Sequence, residues 1–87
     1  MLDLRPNCEC CDKNLPAQSS EAFICSFECT FCSSCAQTVL NNVCPNCSGN
    51  LVQRPIRPLA ALKNYPASTK RVLKESGCTP DIQEHKV

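Results

Sequence analysis

The sequence predicts a small α+β fold held together by metal, and three observations predict it. Eight of the ten cysteines fall into four ordered pairs between Cys8 and Cys47. The 87 residues include no tryptophan and only 5% aromatics, with apolar side chains in short groups. Short stretches of strand and helix character lie between the cysteine pairs. A chain this small buries little of its unfolded surface, so such a core needs a covalent or metal staple.

The cysteine string reads Cys8-x2-Cys11-x13-Cys25-x3-Cys29-x2-Cys32-x2-Cys35-x8-Cys44-x2-Cys47. Two cysteines two residues apart turn both sulfurs toward one point through a tight knuckle. Zinc takes four such soft ligands in a tetrahedron, so four pairs supply two closed sites. Cys10 lies between two ligands and is a candidate alternate ligand. Cys78 stands alone in the C-terminal part.

Cysteine-dense small chains are disulfide scaffolds of secreted proteins or metal sites of the cytosol. Met1-Leu2-Asp3-Leu4-Arg5-Pro6 has an acid, a base and a proline where a secretory signal needs an apolar run. No segment approaches the roughly 20 apolar residues of a membrane span. These features favour a cytoplasmic chain with reduced thiols and no membrane association.

Each element then has its residues. Phe23-Ile24-Cys25-Ser26-Phe27 alternates bulky and small side chains and predicts a strand, with a last strand at Leu51-Val52, and the cysteine domain is expected to contain a short β-hairpin. Ala36 to Asn42 predicts about two helical turns burying Val39, Leu40 and Val43, with the asparagines at the end. Residues 1–53 form the cysteine domain. Residues 54–66, with Arg54-Pro55-Ile56-Arg57-Pro58 and Tyr65-Pro66, predict an extended proline-rich connector. Residues 67–87 predict a short helix and a flexible tail, with Ser68 or Thr69 as cap, Val72 and Leu73 as apolar edge and Gly77 as stop.

Charge divides along the chain. Residues 1–50 carry two bases against five acids, a balance of −3, and residues 51–87 carry seven bases against three acids, a balance of +4. Zinc ligands are thiolates, so eight of them with two Zn²⁺ make the cysteine domain more negative still. The basic segment then lies against this acidic body or is solvated.

The ligand order resembles the RING-type (treble-clef) cross-brace, in which the first and third pairs share one ion and the second and fourth share the other. The resemblance rests on spacing, on Pro45 inside the last knuckle and on the helix expected after Cys35. It implies that Cys8, Cys11, Cys32 and Cys35 hold one zinc and Cys25, Cys29, Cys44 and Cys47 hold the second. Sequential pairing, with Cys8, Cys11, Cys25 and Cys29 on one ion, satisfies the same ligand count. Interleaving is favoured because it ties segments together where hydrophobic burial cannot. Cys44-Pro45-Asn46-Cys47-Ser48-Gly49 also resembles a rubredoxin-type knuckle, and tetrahedral sulfur accepts iron as a substitute.

Closed all-cysteine sites leave no position for water or substrate, which argues against an enzyme with a small-molecule substrate. The one histidine, His85, lies in a polar tail, and Glu9 and Glu28 have no evident acid–base partner. Three non-catalytic readings follow. A protein-interaction module would use Phe27 and Phe31, which lie between ligands and are either partner anchors or the miniature core. A nucleic-acid-binding module would use residues 54–74, where Arg54, Arg57, Lys63, Lys70, Arg71 and Lys74 occur without an acid. A ubiquitin-ligase-like adaptor is the weakest reading. Glu9-Cys10 replaces the apolar residue that RING domains place between the first two ligands, and Ser48-Gly49 replaces the frequent arginine after the last.

Leu4-Arg5-Pro6-Asn7-Cys8-Glu9-Cys10-Cys11, Ile24-Cys25-Ser26-Phe27-Glu28-Cys29-Thr30-Phe31-Cys32 and Cys44-Pro45-Asn46-Cys47 resemble a family of short bacterial cysteine-rich proteins, domain of unknown function 1272. The resemblance extends to about Pro58. It implies a bacterial source and a zinc-binding module, and it brings no activity with it.

Overall fold

Three short antiparallel strands frame the molecule: β1 (Ala22–Ile24), β2 (Thr30–Cys32) and β3 (Val52–Gln53), in the order β2-β1-β3. The structure is a computed structural model that describes residues 2–73. Ala22 pairs with Cys32, Phe23 with both Phe31 and Gln53, and Ile24 with both Thr30 and Val52. The predicted strand ends early, at Ile24. Cys25 begins a turn, closed by the Glu28 N–H on the Cys25 carbonyl at 3.0 Å and by Glu28 at φ 67°. That turn returns the chain as β2, a strand the alternation pattern did not reveal.

The helix after β2 starts earlier than predicted, at Ser33, and is wider. Cys35–Val39 is a π-helical turn, closed by the Leu40 N–H on the Cys35 carbonyl five residues back at 2.9 Å. Asn41 and Asn42 end it as consecutive left-handed residues, at φ 53° and 61°. Asparagine tolerates that conformation better than most side chains, so the expected end residues do end the turn.

Phe31 is fully buried, and Leu15, Ala22, Ala36, Leu40 and Leu51 pack around it. Much of the remaining core is sulfur, from Cys8, Cys25, Cys32, Cys35 and Cys44. The cysteines thus occupy positions that aliphatic side chains fill in larger domains.

Two predictions about the C-terminal half need correction. The connector is not extended throughout, because Leu59–Leu62 forms one α-helical turn that starts after Pro58. Residues 67–73 contain no helix. The Ser68 N–H bonds the Leu4 carbonyl at 2.9 Å, and the Val72 N–H bonds Asn7 Oδ1 at 3.3 Å. These donors are spent on the N-terminal segment instead of on a helix of their own. The remainder of the predicted helix and tail, residues 74–87, lies outside the described residues.

Candidate metal centres

Two loops of the same design deliver four of the cysteines. In the first, the Cys10 and Cys11 N–H groups both point at Cys8 Sγ (3.4 Å each), and the Asp12 N–H bonds the Cys8 carbonyl (2.8 Å). The Cys8 N–H in turn bonds the Lys13 carbonyl (2.9 Å). In the second, the Asn46 N–H points at Cys44 Sγ (3.4 Å) and the Ser48 N–H bonds the Cys44 carbonyl (2.9 Å). There the Cys44 N–H bonds the Gly49 carbonyl (2.8 Å). Asp12 and Ser48, each following the second cysteine, share a left-handed φ of 67–68°. Isolated bridges close both loops at equivalent positions, Asn7 to Asn14 and Val43 to Asn50. Backbone donors aimed at a sulfur favour its thiolate. The equivalence escaped the sequence because backbone geometry carries it, and only the cysteines and the closing asparagines Asn14 and Asn50 are shared.

The fold joins pairs distant in sequence. Cys8, Cys11, Cys32 and Cys35 have sulfurs within 4.8 Å of one another, and so do Cys25, Cys44 and Cys47. The first pair therefore meets the third, and the second pair meets the fourth through Cys25. Cys29 is not within that separation of its whole set. It lies beside that set: its carbonyl accepts the Cys25 N–H at 3.3 Å and its sulfur receives Asn46 Nδ2 at 3.3 Å. Cys10 belongs to neither group. All eight thiols of the four pairs are free of disulfides.

The donors fit a tetrahedral ion. With metal–sulfur bonds of about 2.3 Å, the edge of a four-sulfur tetrahedron is about 3.8 Å, and Cys11 Sγ lies 3.7 Å from Cys32 Sγ. The electrostatics point the same way. Burial pushes the thiols of Cys8, Cys29, Cys35 and Cys44 up, that of Cys44 to about 12. Burial also opposes ionisation of Cys11 and Cys25, yet hydrogen bonds from backbone N–H groups and neighbouring thiols bring both below the usual thiol range. Each set thus eases one thiol toward ionisation, Cys11 or Cys25, while burial resists it at Cys8 and Cys35 in the first set and at Cys29 and Cys44 in the second. A divalent cation among the sulfurs removes that resistance.

Between the two centres lies a buried carboxylate. Glu9 Oε2 accepts the Thr30 N–H at 2.9 Å and Arg5 Nη1 at 2.8 Å, while the Glu9 N–H bonds the Thr30 carbonyl at 2.9 Å. Burial opposes the charge on Arg5, but its bonds to Glu9 and Asp3 outweigh this and raise its pKa. Glu9 therefore has partners after all, and they are structural: it rivets the first knuckle to the start of β2.

The predicted contact residues separate. Phe31 is 0% exposed and belongs to the core, whereas Phe27 is 70% exposed on the Cys25–Cys29 turn. Arg54, expected on a surface, is 1% exposed. Its guanidinium donates to the carbonyls of Arg5 (2.9 Å), Leu15 (3.2 Å) and Pro16 (3.0 Å), gripping the chain on both sides of the first knuckle. Burial first, and then nearby Arg57, lower its pKa. Arg57 donates to the carbonyls of Tyr65 and Leu2. Arg71 donates to Asp12, and Lys70 is exposed. Lys74 lies outside the described residues.

Residues 1–57 match the model of the family described as "Protein of unknown function (DUF1272)". This chain belongs to the DUF1272 family. An uncharacterized protein of Rhizobium meliloti (strain 1021) is 64% identical over 81 residues, which covers 93% of this chain and 96% of that protein. No solved structure matches the chain. The family match spans both knuckles, β1 to β3 and Arg54, and the Rhizobium similarity continues past it into the C-terminal segment. Among the described residues no helix is long and apolar enough to cross a membrane.

Proposed function

We propose that this DUF1272 chain is a non-enzymatic protein-interaction module whose surface is held in place by two structural zinc ions in a RING-like (treble-clef) cross-brace. The observation that carries the reading is the interleaving of the thiol groups: Cys8 and Cys11 with Cys32 and Cys35, and Cys25 with Cys44 and Cys47. Cys29, whose carbonyl accepts the Cys25 N–H and whose sulfur accepts Asn46 Nδ2, is the fourth ligand of the second set. Four thiolates on each ion fill a tetrahedron and leave no coordination position for a reacting molecule. The work of the protein then falls to its surface, and Phe27, a large apolar side chain exposed beside the second centre, is the anchor for a protein partner.

The nucleic-acid reading loses support from the same side chains that suggested it. Arg54 is buried, Arg57 is tied to two carbonyls and Arg71 is paired with Asp12. A count of metal and reactive thiols on the purified protein tests the proposal. Two zinc ions and eight thiols protected until chelator is added are expected. One zinc, or a fold that persists in strong chelator, overturns it. Phe27→Ala should retain both ions while losing a captured partner.

A further inference from the structure

Residues 66–73 lie against the outer side of the first knuckle, and the contact is specific in kind. Asn7 is 0% exposed, yet its carboxamide is turned on a residue 65 positions away. Asn7 Nδ2 donates to the Val72 carbonyl (2.8 Å) and Asn7 Oδ1 accepts the Val72 N–H (3.3 Å), so one side chain grips both polar groups of one residue. The same Nδ2 also faces the Cys8 carbonyl and Asp12 Oδ1, which fixes its orientation. Arg71, the preceding residue, places Nη2 on both the carbonyl (2.9 Å) and Oδ1 (3.0 Å) of Asp12. Further back, the Ser68 N–H bonds the Leu4 carbonyl. Ser68 thus lies opposite Leu4 and Val72 opposite Asn7, with the two segments running parallel.

Most of these contacts read main chain, and the one side chain they read is a cation. Lys70, Arg71 and Leu73 remain exposed and Val72 only partly buried, so little apolar burial holds the segment down. A buried amide clamp beside a carboxylate is the equipment of a peptide-binding edge. We propose that the Leu4–Asn7–Asp12 edge is a binding site for a basic peptide segment of a partner protein. The edge would grip the peptide's main chain at one residue and an arginine immediately before it, and residues 68–72 occupy the site in cis. The inference rests on the interaction-module reading and names the chemistry of a partner. Charge favours such a ligand, because residues 1–50 carry a balance of −3 before any thiolate is counted. Tethering gives the internal segment an effective concentration on the order of millimolar. An external peptide therefore binds well only when the strap is released.

The test uses the full zinc-loaded chain and a labelled peptide with the sequence of residues 66–73, followed by fluorescence anisotropy. The double substitution Arg71→Ser, Val72→Pro opens the strap by removing the cation that Asp12 holds and the N–H that Asn7 holds. The opened protein should bind the peptide at least tenfold more tightly than wild type. Replacing the peptide's arginine by glutamate should abolish the gain, and adding Asp12→Lys to the protein should restore binding of that glutamate peptide. In wild type, which needs no substitution to fold, millimolar peptide should speed amide exchange at Val72. A zinc-replete opened protein that ignores the peptide, even one that dimerises by exchanging tails, overturns the proposal. So does binding indifferent to the arginine, or a Val72 amide that millimolar peptide leaves unchanged. Zinc content is read on the same samples, so failure of the metal framework is seen separately from failure of the peptide site.

Discussion

Phe27 and Phe31 are four residues apart, and both lie between cysteines of the four pairs, yet their energetics differ. Phe31 is at the centre of the core and Phe27 is solvent-facing. Removing a buried phenylalanine side chain costs about 3–5 kcal/mol, a large share of the stability of any small domain. Phe31→Ala should therefore lower the urea midpoint sharply and speed metal loss to a chelator. Phe27→Ala should change stability by less than about 0.5 kcal/mol. Equal effects would mean that the exposure difference does not hold in solution. Arg54 belongs to the same scale. Hydrogen bonds to a charged group are worth about 1.5–3 kcal/mol each, and Arg54 makes three to carbonyls that have to meet across the first knuckle. Arg54→Met keeps much of the volume and loses all three. It should destabilise by about 3 kcal/mol or more, with the ion held by Cys8, Cys11, Cys32 and Cys35 released before the other. Simultaneous release of both ions would argue against a local clamp.

At the scale of elements, the two knuckles share a backbone, and backbone strain can be tested in one of them cleanly. Ser48 holds φ 68° with an exposed side chain, whereas Asp12, its counterpart at φ 67°, also binds Asn7 and Arg71. A left-handed conformation costs a non-glycine residue roughly 1–2 kcal/mol, and glycine returns part of that through its greater unfolded-state freedom. Ser48→Gly should raise the urea midpoint by the equivalent of about 0.5 kcal/mol, and Ser48→Val should lower it. A destabilised glycine variant would show that Ser48 is not strained. The same elements show what a sequence exposes. Cysteine spacing announced the two groups of thiols, and the asparagines announced the end of the turn after Cys35. Those signals are local. β2 was hidden because its residues, Thr30-Phe31-Cys32, are defined by a reversal at Glu28 that no glycine marks. Arg54 reads as a surface charge and Glu9 as a side chain with no acid–base partner, since their partners are backbone groups or residues brought near only by folding. The helix predicted from Ser68 onward had a cap and an apolar edge, but the N-terminal segment took its backbone donors.

For the whole molecule, the thiols make stability depend on pH in opposite directions with and without metal. In the metal-free chain, burial raises the thiols of Cys8, Cys29, Cys35 and Cys44, with Cys44 moving from an ordinary value of 9.0 to about 12. A raised thiol pKa means that the folded chain holds the proton more tightly than the unfolded chain. That contribution is complete below pH 9, and it is lost as pH rises through the folded value of about 12. Cys11 and Cys25, whose pKa values are lowered, act in the opposite sense, but they are outnumbered by the four raised thiols. A metal-loaded chain would have no such protons to lose, because its ligands would already be thiolates, and protons would compete with the ion for them as pH falls. Reduced, chelator-treated protein should therefore lose stability between about pH 9 and 12, from an already lower level because its core is lined with sulfurs that have no ion to hold them. Zinc-loaded protein should be flat over that range and fail instead in acid, releasing metal as it unfolds. Urea midpoints measured on both forms across the pH scale, with zinc followed by a colorimetric chelator, separate the cases. Parallel curves for the two forms would mean that the cysteine sets hold no ion in the folded protein, and the cross-braced reading would fall with them.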